Sequence, residues 1–312
     1  MIDSKIPSKY VYPPAGHILR QTAGRILRKV VQTALEPQLF TLERTLDRLA
    51  VQHGQSMSWR NAERNDLKFN DAEFSIFSQW GEDGIVQYLI KRTQLGERSF
   101  VECGVGDYTE ANTRFLLVND NWRGLIIDGD SSHVSFLSRS ALAWRHDIAS
   151  LALFVTAENI NSALRTHDMI GDVGLLSIDI DGNDYWILKA ITEIQPRIII
   201  CEYNSVFGCR RAVSIPYDPH FKCANAHYSH LYFGASLAAF DYLLSARGYI
   251  LVGCESHGAN AFFVRSDVAQ ELHPLTPAAA YVASRFRNSR VRISVIPYTQ
   301  FGVFEREVSE AA

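Results

Sequence analysis

Glu102, Gly104 and Gly106 stand together in the run Ser99-Phe100-Val101-Glu102-Cys103-Gly104-Val105-Gly106-Asp107. Two glycines one residue apart let the backbone turn sharply and approach a ligand closely. The apolar residues before them read as a buried strand, and the polar stretch Thr109-Glu110-Ala111-Asn112 as the start of a helix. A nucleotide-type cofactor is held in this way at the carboxyl end of the first strand of a doubly wound sheet. A dinucleotide fingerprint wants a third glycine where this chain has Thr109. Glu102 would also repel a pyrophosphate. It suits instead a ligand with a positive end, such as an amino acid ammonium group. The alternative reading of the glycines is a turn with no ligand.

More acids follow at predicted strand ends. Leu125-Ile126-Ile127 ends at Asp128, where an acid bonds ribose hydroxyls. A third strand is read as ending at Asp147, followed by Ile148; the pair is a candidate base-binding step, with a solvated loop acid as the alternative. Val173 to Ile178 opens into Asp179-Ile180-Asp181, and alternation points both acids the same way. Arg197 to Cys201 ends in Glu202. Acids gathered at one sheet edge are costly unless they bind a proton, a cation or a donor. Asp179, Asp181 and Glu202 are therefore the catalytic candidates, as a general base or as ligands to a divalent cation. For Asp179 the competing reading is a helix-start acid satisfied by backbone donors. Gln79 and Asp83, at the start of the helix before the first strand, are candidates to face the cofactor's amino acid end; an ordinary helix start is the alternative.

Positioning these residues takes alternating strands and helices. The expected fold is α/β, a doubly wound, mostly parallel seven-stranded sheet with an antiparallel last strand, plus an N-terminal helical extension. The last strand follows from the hairpin Tyr249–Cys254 and Asn260–Arg265, whose connection is too short for a parallel crossover. A helix is expected over Tyr232 to Arg247. Residues 203–230 break the rhythm and read as a lid or pocket wall; His227 and His230 within them are second candidate bases. Cys209, Cys223 and these histidines match no compact zinc-ligand spacing. The domain division is a helical extension and linker over 1–70 and a catalytic domain over 71–312, with its insert at 203–230.

Residues 1–14 read as an irregular lead. Helical patterns follow over 16–35, apolar on one side and basic on the other, and again beyond Pro37, which is expected to end or restart the helix. Leu39, Leu42, Leu46 and Leu49 form a short seam, suited to a homo-oligomer, to a membrane surface, or to packing on the chain's own domain. Residues 58–70 read as a linker, and the tail from 266 has no assignment. The net charge of −3 gives no reason to expect a nucleic-acid partner. No apolar run approaches a membrane span. The N-terminus has no signal core, and the odd count of five cysteines reads as reduced core residues, so the expected location is cytoplasmic.

The ordered set Ser78-Gln79…Glu82-Asp83, Val101-Glu102-Cys103-Gly104-Val105-Gly106, Ile127-Asp128, His146-Asp147-Ile148, Ser177-Ile178-Asp179-Ile180-Asp181-Gly182-Asn183-Asp184 and Ile199-Ile200-Cys201-Glu202 resembles the FkbM-like methyltransferases over about residues 75–265. Family members usually carry Glu-Gly where this chain has Asp181-Gly182. The resemblance implies the class I methyltransferase architecture, S-adenosylmethionine (SAM) as cofactor, and O-methylation of a hydroxyl on a sugar, glycan or natural product. On that reading Glu102 meets the methionine ammonium, Gly104 and Gly106 lie under the cofactor, Asp128 binds the ribose and Asp147 with Ile148 the adenine. Two rivals stand beside it. One is a metal-dependent glycosyltransferase using Asp179 and Asp181; the other is a non-catalytic SAM-binding scaffold.

Overall fold

The computed structural model describes residues 15–94, 96–287 and 299–300. The chain divides into two compact units, Met1–Gln52 and His53–Ala312. Helix α1 is continuous over Ala15–Ala62. Pro37 therefore neither ends nor restarts it: the N–H that proline lacks removes one hydrogen bond from a 48-residue helix. The expected linker is helical over its first residues, and Leu67 within it is buried. Leu35, Leu39, Leu42, Leu46 and Leu49 are all exposed. The irregular lead expected over 1–14 and the side chains of the two-sided pattern over 18–34 lie outside the described residues. No described helix is long and apolar enough to cross a membrane.

In the second unit, α2 (Glu82–Arg92) leads into β1 (Ser99–Cys103). Then come α3 (Arg114–Asp120), β2 (Arg123–Asp128), α4 (Ser131–Ser138), α5 (Ala141–Arg145) and β3 (Ile148–Ala152). They are followed by α6 (Ile160–Thr166), β4 (Gly171–Ile178), α7 (Asp184–Ala190) and β5 (Ile194–Glu202). The insert holds a two-residue strand, β6 (Val213–Ser214), and a single turn, α8 (Cys223–Ala226). Helix α9 (Leu237–Ser245) precedes the hairpin β7 (Tyr249–Cys254) and β8 (Asn260–Arg265). The tail adds α10 (Pro277–Ala280) and β9 (Thr299–Gln300), which pairs antiparallel with β6.

Seven strands form one sheet in the order β3-β2-β1-β4-β5-β8-β7. Strands β1 to β5 are mutually parallel, and β8 runs antiparallel between β5 and β7. The sheet is covered on both faces, so its central strands are fully buried. Val101, Cys103, Leu125, Ile127 and Leu176 pack with Leu164, Ile187 and Phe240 on one face. Phe100, Ile126, Leu175 and Ile198 pack with Ile85, Leu89 and Leu117 on the other. Alternation from Phe100 and Ile126 puts Glu102 and Asp128 on the same face of the sheet. Helix α9 is shorter than its sequence pattern: Gly234 at φ +61° interrupts the run, and the Ser236 side chain accepts from the Ala239 N–H to start the helix.

Candidate active site

The strand order reverses between β1 and β4, and a doubly wound sheet opens a crevice at that point, beyond the strands' carboxyl ends. Gly104 and Asp179 meet there. Gly104 has φ +85°, and a Cβ on it would lie 1.5 Å from the Asp179 carbonyl oxygen, so no side chain is possible. Gly106 has φ +55° but faces open space. The crevice encloses about 290 Å³. It is lined by Gly104, Gly106 and Asp128, by the apolar Leu153, Phe154 and Val155, and by Asp179 to Asn183 with Phe221.

Asp128 organises the glycine turn. Its Oδ2 accepts from the Gly106 N–H at 2.8 Å, and its Oδ1 accepts from the Asp130 N–H at 2.8 Å with His133 Nδ1 at 3.3 Å. A carboxylate has about four acceptor positions, so capacity remains toward the crevice.

Asp179, Asp181 and Glu202 converge beside it. Each offers a carboxylate oxygen, and these oxygens lie within 4.8 Å of one another. Glu202 is 3% exposed, Asp179 is half-buried and Asp181 is exposed, at φ +51°. Arg287 Nη2 donates to Glu202 Oε1, while Glu202 Oε2 is buried with no hydrogen-bond partner. Burial, then the charges of Glu202 and Asp181, holds the Asp179 carboxyl well above the usual carboxylate range. Burial likewise pushes Glu202 up to about 7, against the pull of Arg287. Cys223 of the insert, pushed up to about 11 by burial and then by the charges of Asp181 and Glu202, flanks the cluster.

Residues 28–251 match the methyltransferase FkbM domain. The chain belongs to this family. The match begins inside α1, earlier than residue 75, where the sequence motifs begin. No curated protein matches the chain. Three solved structures share part of the FkbM-domain chain's path. A SAM-dependent methyltransferase from Clostridium acetobutylicum is 10% identical, with TM-score 0.37, covering 66% of this chain and 95% of its own. PKMT2 from Rickettsia typhi in complex with AdoHcy is 8% identical, with TM-score 0.40, covering 60% and 54%. The pyocyanin biosynthetic protein PhzM is 11% identical, with TM-score 0.35, covering 58% and 54%. The chain thus spans about half the length of the last two.

Within the FkbM domain, five of the eleven predicted site residues line the crevice: Gly104, Gly106, Asp128, Asp179 and Asp181. Glu202 adjoins it through the cluster. The others stand elsewhere. Glu102 is not among the residues that line the crevice. Its oxygens accept from the Asn112 N–H (2.9 Å) and from the Thr113 N–H (3.1 Å) and hydroxyl (2.5 Å), holding the loop after the glycine turn. Asp83 Oδ2 is likewise spent, accepting from the Ile76, Phe77 and Ser78 N–H groups at 2.7, 2.7 and 2.9 Å. Gln79 is exposed and does not line the crevice. Asp147 and Ile148 lie at the wrong edge. Strand β3 starts at Ile148 rather than ending there, and the Asp147 carbonyl accepts from Gly124 N–H at the amino end of β2. Leu153 and Phe154, just past β3, occupy the place expected of them. Of the two insert histidines, His227 pairs through Nδ1 with Ser229 Oγ at 2.7 Å, and the His230 carbonyl accepts from Cys223 Sγ at 3.4 Å.

Sequence reasoning missed Arg287. The segment 281–287 carries it back across the sheet edge. Tyr203 Oη donates to the Val282 carbonyl at 2.5 Å, Tyr281 Oη to the Ser205 carbonyl at 2.6 Å, and Phe286 stacks on Trp80 at 5.4 Å. Only the unsatisfied charge of Glu202 could have called for a cation from elsewhere in the chain.

Proposed function

We propose that this FkbM-domain protein is a SAM-dependent O-methyltransferase acting on a hydroxyl of a sugar, glycan or natural product. The observation that carries the reading is a crevice in which the glycine turn and Asp128 open directly onto the acids Asp179 and Asp181. Its residues fit SAM. Gly106 leaves open space beside the backbone, Asp128 has acceptor capacity for ribose hydroxyls, and Leu153, Phe154 and Val155 make an apolar wall for a flat base. SAM supplies a methyl group on a positively charged sulfur. The chain's own work is to align the acceptor oxygen and take its proton. Asp181, exposed at the crevice mouth, is the acid that meets the acceptor hydroxyl. Glu202, pushed up to about 7 by burial, is a neighbouring base, and burial with the charges of Glu202 and Asp181 raises Asp179 as well. Residues 71–312 form the catalytic part, and the insert 203–230, through Phe221, walls the acceptor side. Family membership leaves the glycosyltransferase reading without support. We place the protein in the cytoplasm, in keeping with its five unbridged cysteines.

The test is transfer of labelled methyl from SAM to a panel of free and glycosidic sugars and phenolic natural products. Label in an alkali-stable methyl ether supports the reading. Label in an amine or thioether, or none in any acceptor, contradicts it.

A further inference from the structure

We propose that Arg287 is a positioning residue for methyl transfer: through Glu202 it fixes the acid edge in one arrangement and leaves Asp181 facing the acceptor. This role rests on the methyl-transfer reading. Three observations carry it. The first is the ion pair. Arg287 Nη2 donates to Glu202 Oε1, and the two side chains are 16% and 3% exposed. Solvent screens so enclosed a pair little, and a guanidinium keeps its charge at any working pH. Glu202 gathers with Asp179 and Asp181, and like charges that close repel one another. A fixed cation on one of them offsets that repulsion and sets its direction.

The second is how the guanidinium is held. Its Cζ lies 5.0 Å from the centre of the Phe233 ring and 5.2 Å from that of Phe286. Two aromatic faces attract a cation and restrict its tilt. The third is the seat of the segment that carries it. Tyr203 and Ser205, just beyond Glu202 in the chain, grip that segment. Tyr203 Oη donates to the Val282 carbonyl, Tyr281 Oη to the Ser205 carbonyl, and the Ser284 N–H to Ser205 Oγ at 3.3 Å. Gly258 of the hairpin turn lets the segment pass, since a Cβ there would lie 2.6 Å from the Val282 carbonyl oxygen. The short stretch 202–205 thus holds both partners of the ion pair. Arg287 is not among the residues that line the crevice. Its effect passes through Glu202, so its removal slows the chemical step and leaves cofactor binding alone.

The experiment follows labelled-methyl transfer from SAM by the full chain, Arg287→Ala and Arg287→Lys to a panel of sugars, phenols, amines and thiols. Calorimetry gives the SAM Kd, and thermal unfolding checks the fold. In Arg287→Ala, kcat should fall about a hundredfold, the cost of a small misplacement of a reacting group, with the SAM Kd within about twofold. Free guanidinium, kept far below denaturing concentrations, should raise that kcat at least about fivefold, which it would not do for a merely structural loss. Arg287→Lys keeps the charge without the planar fork and should lie between the two. If the alanine variant does not fold, the lysine variant decides: slower turnover at unchanged SAM Kd supports the role, and full turnover overturns it. Turnover in Arg287→Ala within about twofold of the unaltered chain overturns it too, as does a fall in kcat that tracks lost SAM affinity and that guanidinium does not repair. Label found only on amines or thiols, with the variants slowed as described, refutes the hydroxyl acceptor and keeps the positioning role. Label on hydroxyls with both variants at full rate refutes the positioning role alone, and no transfer at all by the unaltered chain refutes both.

Discussion

Asp181 lies in the loop after β4 and Asp184 opens α7, and the two do opposite work. Asp184 is buried, and both its oxygens are occupied: Oδ1 accepts from the Ile180 N–H and Oδ2 from the Gly182 N–H, each at 2.9 Å. Glu102 does the same for the loop after β1, and Asp83, through Oδ2 alone, holds the loop before α2. Glu255, fully buried, ties the hairpin turn by accepting from the His257, Ala259 and Asn260 N–H groups. These acids are anchors whose oxygens are taken up by backbone donors. Asp179, Asp181 and Glu202 instead face one another and one arginine. The sheet edge thus carries one set of carboxylates that builds the loops and another that those loops hold out for chemistry. A backbone N–H given a charged acceptor contributes to stability, whereas carboxylates pressed together without donors detract from it. The second set persists because the first holds it.

The comparison breaks if the two sets respond alike to substitution. The largest effect is expected for Asp181→Asn, with turnover lowered about a hundredfold or more, roughly 2.7 kcal/mol of barrier. SAM affinity and the urea unfolding midpoint should barely move, and a loss of SAM affinity with turnover intact at saturation would put Asp181 with the anchors. Next, Glu102→Ala should cost about 2 kcal/mol of stability, since it leaves the Asn112 and Thr113 donors without their acceptor. Urea denaturation reads that loss, and Glu102→Gln, which keeps one acceptor oxygen, should lose roughly half as much.

Acidity sharpens the contrast. Burial, then the charge of Asp179, pushes Asp184 up to about 7 from its ordinary 3.8. Between those values the folded chain keeps a proton that the unfolded chain has lost. Its contribution to stability is therefore full below about pH 4 and falls away as pH rises toward 7. Urea midpoints measured from pH 5 to pH 8 should decline, and Asp184→Asn should flatten the decline. Turnover should move the other way, rising through about pH 7 as Glu202 loses its proton. The smallest effect is expected for Gly106→Ala, about 1–2 kcal/mol for a side chain in the left-handed region, with no steric clash to add to it.

The sheet was legible in the sequence because apolar runs end sharply at Cys103, Asp128, Ile178 and Glu202, and acids at such ends fall on the crevice edge whatever the loops do. Whether an acid is spent on backbone was not legible. Glu102 and Asp181 both follow a buried strand, and only the path of the next loop decides which oxygens meet N–H groups. Asp147 misled because a polar pair, His146-Asp147, separates a short helix from a strand, and the apolar residues on its two sides read equally well as the strand. Arg287 left no trace, since an ion pair across 85 positions imposes no local periodicity.

Calorimetric titration of SAM into the folded full chain, beside the Asp128→Asn variant, tests the crevice most directly. The account predicts one SAM per chain, with affinity at least about tenfold weaker in the variant, where the acceptor pair that serves Gly106 and the ribose is impaired. Absence of SAM binding at millimolar concentration, or equal affinity in both proteins, would contradict it.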